Sequence, residues 1–124
     1  ALPILLLTRG DRYAAELLEE LRERTPGIQI LCAGKLPSGT AEKLSLRDAL
    51  TPAERRGRGN AYARGGWWLH DRILTDTTLT VIRADVFARR DLLDPRSGTP
   101  LPTYRRQRYT GGIGRYFPIF LYIK

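Results

Sequence analysis

The chain contains no methionine, one cysteine, one histidine and only three lysines. With no methionine at its head, the chain is expected to start at a processed or trimmed boundary. Cys32 alone cannot close an internal disulfide, which fits a reducing compartment and a cytoplasmic location. It lies in an apolar strand pattern, where a thiol packs as a small hydrophobe rather than serving as a nucleophile. Cys32 and His70 together fall short of the four ligands of a structural zinc site. No cofactor signature is present either. Gly57-Arg58-Gly59 lacks the preceding strand and the long following helix of a dinucleotide fingerprint. No apolar run approaches the roughly 20 residues of a membrane-spanning helix, so no membrane partner is expected. The opening Ala1-Leu2-Pro3-Ile4-Leu5-Leu6-Leu7 resembles the apolar region of a signal peptide. It has no basic flank, and Thr8-Arg9-Gly10-Asp11 follows it instead of a small-residue cleavage site. It reads as a buried strand.

Acid is missing too, and in one place. After Asp94 there is no acidic residue, while Arg96, Arg105, Arg106, Arg108, Arg115 and Lys124 contribute +6 of the +8 net charge. The basic residues are overwhelmingly arginine, whose planar fork grips carboxylates and phosphates bidentately. The 124 residues are enough for one domain, and 42% hydrophobic residues can fill one core. No repeat, linker or second domain interrupts them.

The local patterns alternate between the two regular structures. Ile4–Thr8 is an apolar strand bounded by Gly10. Asp11 can cap a helix from Arg12 to about Arg24, with Tyr13, Ala14, Leu17, Leu18 and Leu21 as its apolar stripe. Pro26-Gly27 ends it, and Ile28–Cys32 is a second strand. Gly34–Ala49 is polar and irregular. Thr51-Pro52-Ala53-Glu54 reads as a capping box opening a short helix that Gly57 and Gly59 stop. Asn60–Arg64 and Trp67–Leu74 flank Gly65-Gly66 as a hairpin. Thr77–Arg83 suits a strand, and Ala84–Leu93 a short helix. Asp94–Thr103 is a loop with three prolines. Tyr104–Thr110 and Ile113–Ile123 form a second hairpin around Gly111-Gly112, with Pro118 at an edge. The expectation is an α+β domain: a single, mainly antiparallel sheet of about six strands with two or three helices.

Few residues suggest chemistry. His70 is the only histidine and a candidate general acid or base. It precedes Asp71-Arg72, which does not match the His-x-Lys spacing of phospholipase-D-like sites. In a continuous strand His70 and Arg72 share one face. Trp67 and Trp68 face opposite sides, so one of them can wall a ligand. Tyr104, Arg105, Arg106, Arg108, Tyr109, Arg115 and Tyr116 mix rings with cations in one acid-free stretch, as single-stranded RNA surfaces do.

In order, these motifs resemble the chorismate pyruvate-lyase family and its relatives, which share a fold with the UTRA ligand-binding domains of bacterial regulators. Leu5-Leu6-Leu7-Thr8-Arg9-Gly10 is similar to the family's opening strand and Thr-Asp-Gly, with Arg9 in place of Asp. Glu54 and Arg58 match an acid followed by a strand-opening arginine. Gly66, Trp68, Arg72, Thr78 and Leu79 fall in register with the next motif. Arg106, Arg108, Gly111 and Gly112, then Phe120-Leu121, resemble the close. The resemblance implies binding of an aromatic carboxylate of the chorismate or 4-hydroxybenzoate kind. It implies that Arg58 grips the carboxylate, with Arg72 a second cation and Trp68 part of the wall. The family's final strand carries a glutamate that takes part in lyase chemistry. Here Pro118-Ile119 stand in that region without an acid, which shifts the implied role from turnover toward binding.

Two other readings come from the residues themselves. One is an RNA-binding protein, or a small metal-independent ribonuclease with His70 as acid or base and Arg105, Arg106 or Arg108 stabilising the phosphorane. Its affinity would fall steeply with salt. The other is a subunit whose apolar stretch Phe117–Ile123 docks a protein partner as an edge strand.

Overall fold

The computed structural model describes residues 4–7, 14–36, 38–101, 104–109 and 116–124. In chain order these form β1 (Ile4–Leu7), α1 (Ala14–Arg24), β2 (Gln29–Gly34), α2 (Thr40–Leu44), β3 (Arg47–Asp48) and α3 (Thr51–Arg55). There follow β4 (Ala61–Ala63), β5 (Gly66–Trp68), β6 (Arg72–Thr75), β7 (Val81–Val86), a 3-10 turn at Arg90–Leu92, β8 (Tyr104–Arg105), β9 (Arg108–Tyr109) and β10 (Ile119–Ile123). The class is α+β, as the sequence suggests. Among the described residues no helix is long and apolar enough to cross a membrane.

The strands do not join into one sheet of six. The order β1-β2-β6-β3 makes one sheet, and β10-β7, β4-β5 and β8-β9 are separate two-stranded ladders. Among the described strands only β1 and β2 run parallel, across α1; β6 is antiparallel to β2 and to β3. Two apolar clusters sandwich the larger sheet. Leu18 of α1, Ile30 and Cys32 of β2, Leu44 of α2 and Leu74 of β6 pack together on one side. Ala53 of α3, Ile73 of β6, Val86 of β7 and Phe117 pack on the other. The strand period of two explains the split: Ile73 and Leu74 are neighbours that point to opposite faces, and both are buried.

Asn60 separates the hairpin from this sheet. It is fully buried, and its side chain has a partner at both ends. Its Nδ2 donates to Asp71 Oδ2 at 2.7 Å and to the Phe117 carbonyl at 3.2 Å. Its Oδ1 accepts the amides of His70 at 2.8 Å and Asp71 at 3.4 Å. Those two amides are thereby taken out of strand pairing. The expected strand Trp67–Leu74 therefore breaks at Leu69–Asp71 into β5 and β6, and His70 and Arg72 do not share a strand face.

Other expectations also need correction. The hairpin turn falls at Arg64-Gly65, whose φ values of 52° and 80° suit a two-residue primed turn, and Gly66 opens β5 instead. A second such turn at Arg106-Gln107 reverses the expected strand Tyr104–Thr110 in its middle. Gly111-Gly112 lies outside the described residues, as does the expected cap Asp11. The last strand, β10, pairs with β7. The helix expected over Ala84–Leu93 is instead the end of β7 and a single 3-10 turn. Thr51 does not form a capping box. It is the first residue of α3, Leu50 is the cap, and Asp48 Oδ1 accepts the Leu50 amide at 2.9 Å. In α1, Leu18 is buried while Leu17 is 46% exposed, so the apolar stripe is narrower than expected.

Gly59 lets β5 pass close by. A Cβ at this position would lie 2.5 Å from the Trp68 nitrogen and 2.7 Å from its oxygen, both backbone atoms that cannot swing away. Gly59→Ala is expected to destabilise the fold by about 2–3 kcal/mol. Asn60→Ala, which strands Asp71 and two amides, should cost about 3 kcal/mol. Urea denaturation of both variants against wild type checks the two values.

Candidate functional site

Three of the residues singled out by sequence gather at one cleft. Trp68, His70 and Arg72 line a space of about 400 Å³ together with Lys35, Glu42 and Asp48. His70 stacks on Tyr116 with ring centroids 4.0 Å apart, and Trp68 meets it edge-on at 5.3 Å. His70 Nδ1 is buried at 3.3 Å from Asp71 Oδ1, without hydrogen-bond alignment. Arg72 is committed elsewhere. It pairs with Asp48 Oδ2 at 3.0 Å and with Glu54 Oε2, bridging β6 to β3 and α3. Burial works against its charge, but the two carboxylates more than offset that and raise its pKa further. With two acids on one arginine, and Glu42 as well as Lys35 in the lining, this cleft carries no surplus of positive charge.

Arg58 lies apart from these three. It lines a smaller depression of about 170 Å³ with Trp67, Leu93 and Phe117. Its Nε donates to Asp85 Oδ1 at 2.7 Å and its Nη2 to the Val86 carbonyl at 3.0 Å. That geometry makes Arg58 a tie between the loop after α3 and β7. Arg106, Arg108 and Tyr109 are exposed on the β8–β9 hairpin. In the same ladder Tyr104 pairs with Tyr109 and Arg105 with Arg108. Arg115 lies outside the described residues.

Asp85 is the group that sequence reading missed. Its carboxylate is nearly buried in β7, and a buried charge needs partners. Besides Arg58 it faces Arg56 Nη2 at 3.5 Å and Arg83 Nη2 at 3.7 Å. Burial pushes its carboxyl pKa up, but the Val86 amide and the charges of Arg58 and Arg56 outweigh that and hold it below the ordinary value of 3.8. Among the described residues, three guanidinium groups on one carboxylate leave two positive charges without a carboxylate of their own. The usual N–O distance of a charge-assisted bond is about 2.7–2.9 Å. Arg58 meets that standard, whereas Arg56 and Arg83 are held loosely.

Both loosely held arginines open onto a cleft of about 660 Å³ between α3 and β7. Its lining adds Arg47, whose Nη2 donates to the Leu79 carbonyl, and the apolar surfaces of Ala49, Pro52, Val81 and Ala84. The carboxylate in the lining, Asp48, is already engaged by Arg72 and the Leu50 amide. The site therefore presents an apolar floor and unsaturated guanidinium groups, the parts needed to hold a small anion with a hydrophobic body. Among the described residues no cluster of three or more His, Cys, Asp or Glu side chains could hold a metal ion.

The depressed pKa of Asp85 fixes the sign of its pH dependence. Its stabilisation is present above the ordinary carboxylate value near 3.8 and is lost as pH falls through the lower, folded value. Asp85→Asn is expected to cost about 2 kcal/mol at pH 7, less than a fully buried pair because its partners are half exposed. The same substitution should flatten the decline in stability below pH 4, as measured by denaturation across pH. Compared with known proteins, the chain matches no family model, no curated protein and no solved structure.

Proposed function

We propose that this domain binds a small aromatic or alicyclic carboxylate, of the 4-hydroxybenzoate or chorismate class, in the cleft between α3 and β7. One observation carries the reading: Arg56 and Arg83 share a carboxylate that Arg58 already satisfies. A ligand carboxylate entering the cleft gives them a partner at proper distance without displacing Arg58. The ring then lies on Ala49, Pro52, Val81 and Ala84, whose surfaces favour an apolar body. A volume of about 660 Å³ suits such a molecule, since small-ligand pockets run from roughly 300 to 1,000 Å³.

This assigns the carboxylate grip to Arg56 and Arg83, and to Arg58 the role of holding Asp85 in place between them. Binding rather than turnover is the activity proposed. His70, the candidate acid or base, lines the other cleft, and Asp48 has both oxygens occupied.

Calorimetric titration with 4-hydroxybenzoate and with its neutral carboxamide tests the reading. The acid should bind and the amide should not, with only weak salt dependence. Replacing both Arg56 and Arg83 by alanine should weaken the acid by at least about ten-fold, the worth of one hydrogen bond to a charged group. Arg58→Ala should lower thermal stability more than it lowers affinity. Equal binding of acid and amide, or an unaffected double variant, would contradict the proposal.

A further inference from the structure

The β4–β5 hairpin displays more aromatic surface than packing requires. Tyr62, Trp67, Trp68 and Tyr116 are each more than a third exposed. Trp67 has a structural role, stacked on the buried Phe117 at 5.6 Å with Tyr62 against its edge at 5.4 Å. Trp68 and Tyr116 do not. They flank His70, which holds the Tyr116 ring in a parallel stack at 4.0 Å. Between Tyr62, Trp68, Tyr116 and Pro100 opens a groove of about 410 Å³ with no charged residue in its lining among the described residues. The next cations along the chain are exposed: Arg64 directly follows Ala63 of β4, and Arg96 precedes Thr99 by three residues. Neither has an ion pair among the described residues.

We propose that this groove binds single-stranded nucleic acid. Bases stack on the free surfaces of Trp68 and Tyr116, and the backbone phosphates lie against Arg64 and Arg96. Three features argue for this occupant. Flat rings exposed beside a ring already fixed in place form a platform for planar bases. The groove contains no carboxylate to repel phosphate. The net charge of +8 draws a polyanion to the surface from a distance. A proline-rich peptide can also lie on aromatic rings, but it makes no use of the two arginines or of the overall charge. The groove shares no lining residue with the α3–β7 cleft, so this inference stands apart from the carboxylate reading.

The test is fluorescence anisotropy of labelled ten-nucleotide oligo-U and oligo-dT, titrated with the whole protein at low and moderate salt. Wild type should bind at micromolar concentrations, with affinity falling as salt rises. Trp68→Ala and Tyr116→Ala should each weaken binding about ten-fold, the scale of one lost stacked base. Tyr116→Phe, which keeps the ring, should retain it. The charge reversal Arg64→Glu with Arg96→Glu should abolish binding and touches no packed residue. Binding of RNA alone would add a contact to the 2′-hydroxyl, and equal binding of DNA would mean that base and phosphate suffice; both support the groove. No binding of either oligonucleotide at 100 μM (roughly the weak end of non-specific affinity) would overturn the proposal. So would binding that survives in both alanine variants, or a proline-rich peptide that binds where oligonucleotides do not.

Discussion

One carboxylate orders the α3–β7 side of this molecule. Asp85 is buried at the end of β7, where an unpaired charge would be strongly unfavourable, and arginines from the C-cap of α3, from the loop after it and from β7 itself converge on it. Arg58 is bonded to it and to the neighbouring Val86 carbonyl, so the loop after α3 is pinned to β7. The walls of the larger cleft are therefore set by the same contact that leaves the cleft with excess positive charge. Arg72 does the complementary work on the other side of α3. It is one cation between two acids, and it joins α3 to β3 and β6 without adding net positive charge.

Asn60 supplies the second constraint, and it concerns topology. Its amide side chain satisfies groups from the bend at His70–Asp71 and from Phe117, segments that no ladder connects. By taking two amides from the strand after β5 it forces β6 into a different sheet. It also brings the last segment of the chain beneath the hairpin, where Phe117 meets Trp67 and Tyr116 meets His70. The exposed rings of the hairpin and the buried asparagine beneath them are two sides of one arrangement.

The elements that local chemistry decides were legible in the sequence. The apolar runs at β1 and β2, the glycine stop after α3 and the first hairpin follow from periodicity and turn residues, and the turn was misplaced by one position. What long-range contacts decide was not. The break between β5 and β6 depends on Asn60, ten residues away in the chain, and β7 runs on past Arg83 because Arg58 meets Asp85 across 27 residues. The helix α2 has five residues and Gly39 as its cap, too short for an amphipathic period to register. At the site, Trp68, His70 and Arg72 do come together, as their proximity in sequence implied. Arg56 and Arg83 could not be told from the many other arginines, because their distinction is a shared partner. The available signal was Asp85 itself, an acid inside the strand-like run Val81–Val86.

Under the proposed function, Arg56 and Arg83 take the ligand carboxylate while Arg58 stays on Asp85. Arginine side-chain NMR of the Nε–H groups, followed during titration with 4-hydroxybenzoate, measures this directly. The resonances of Arg56 and Arg83 should move together and saturate, with Arg58 unchanged. Shifts confined to Arg64, Arg106 and Arg108, or a response of Arg58 in place of its two neighbours, would contradict it.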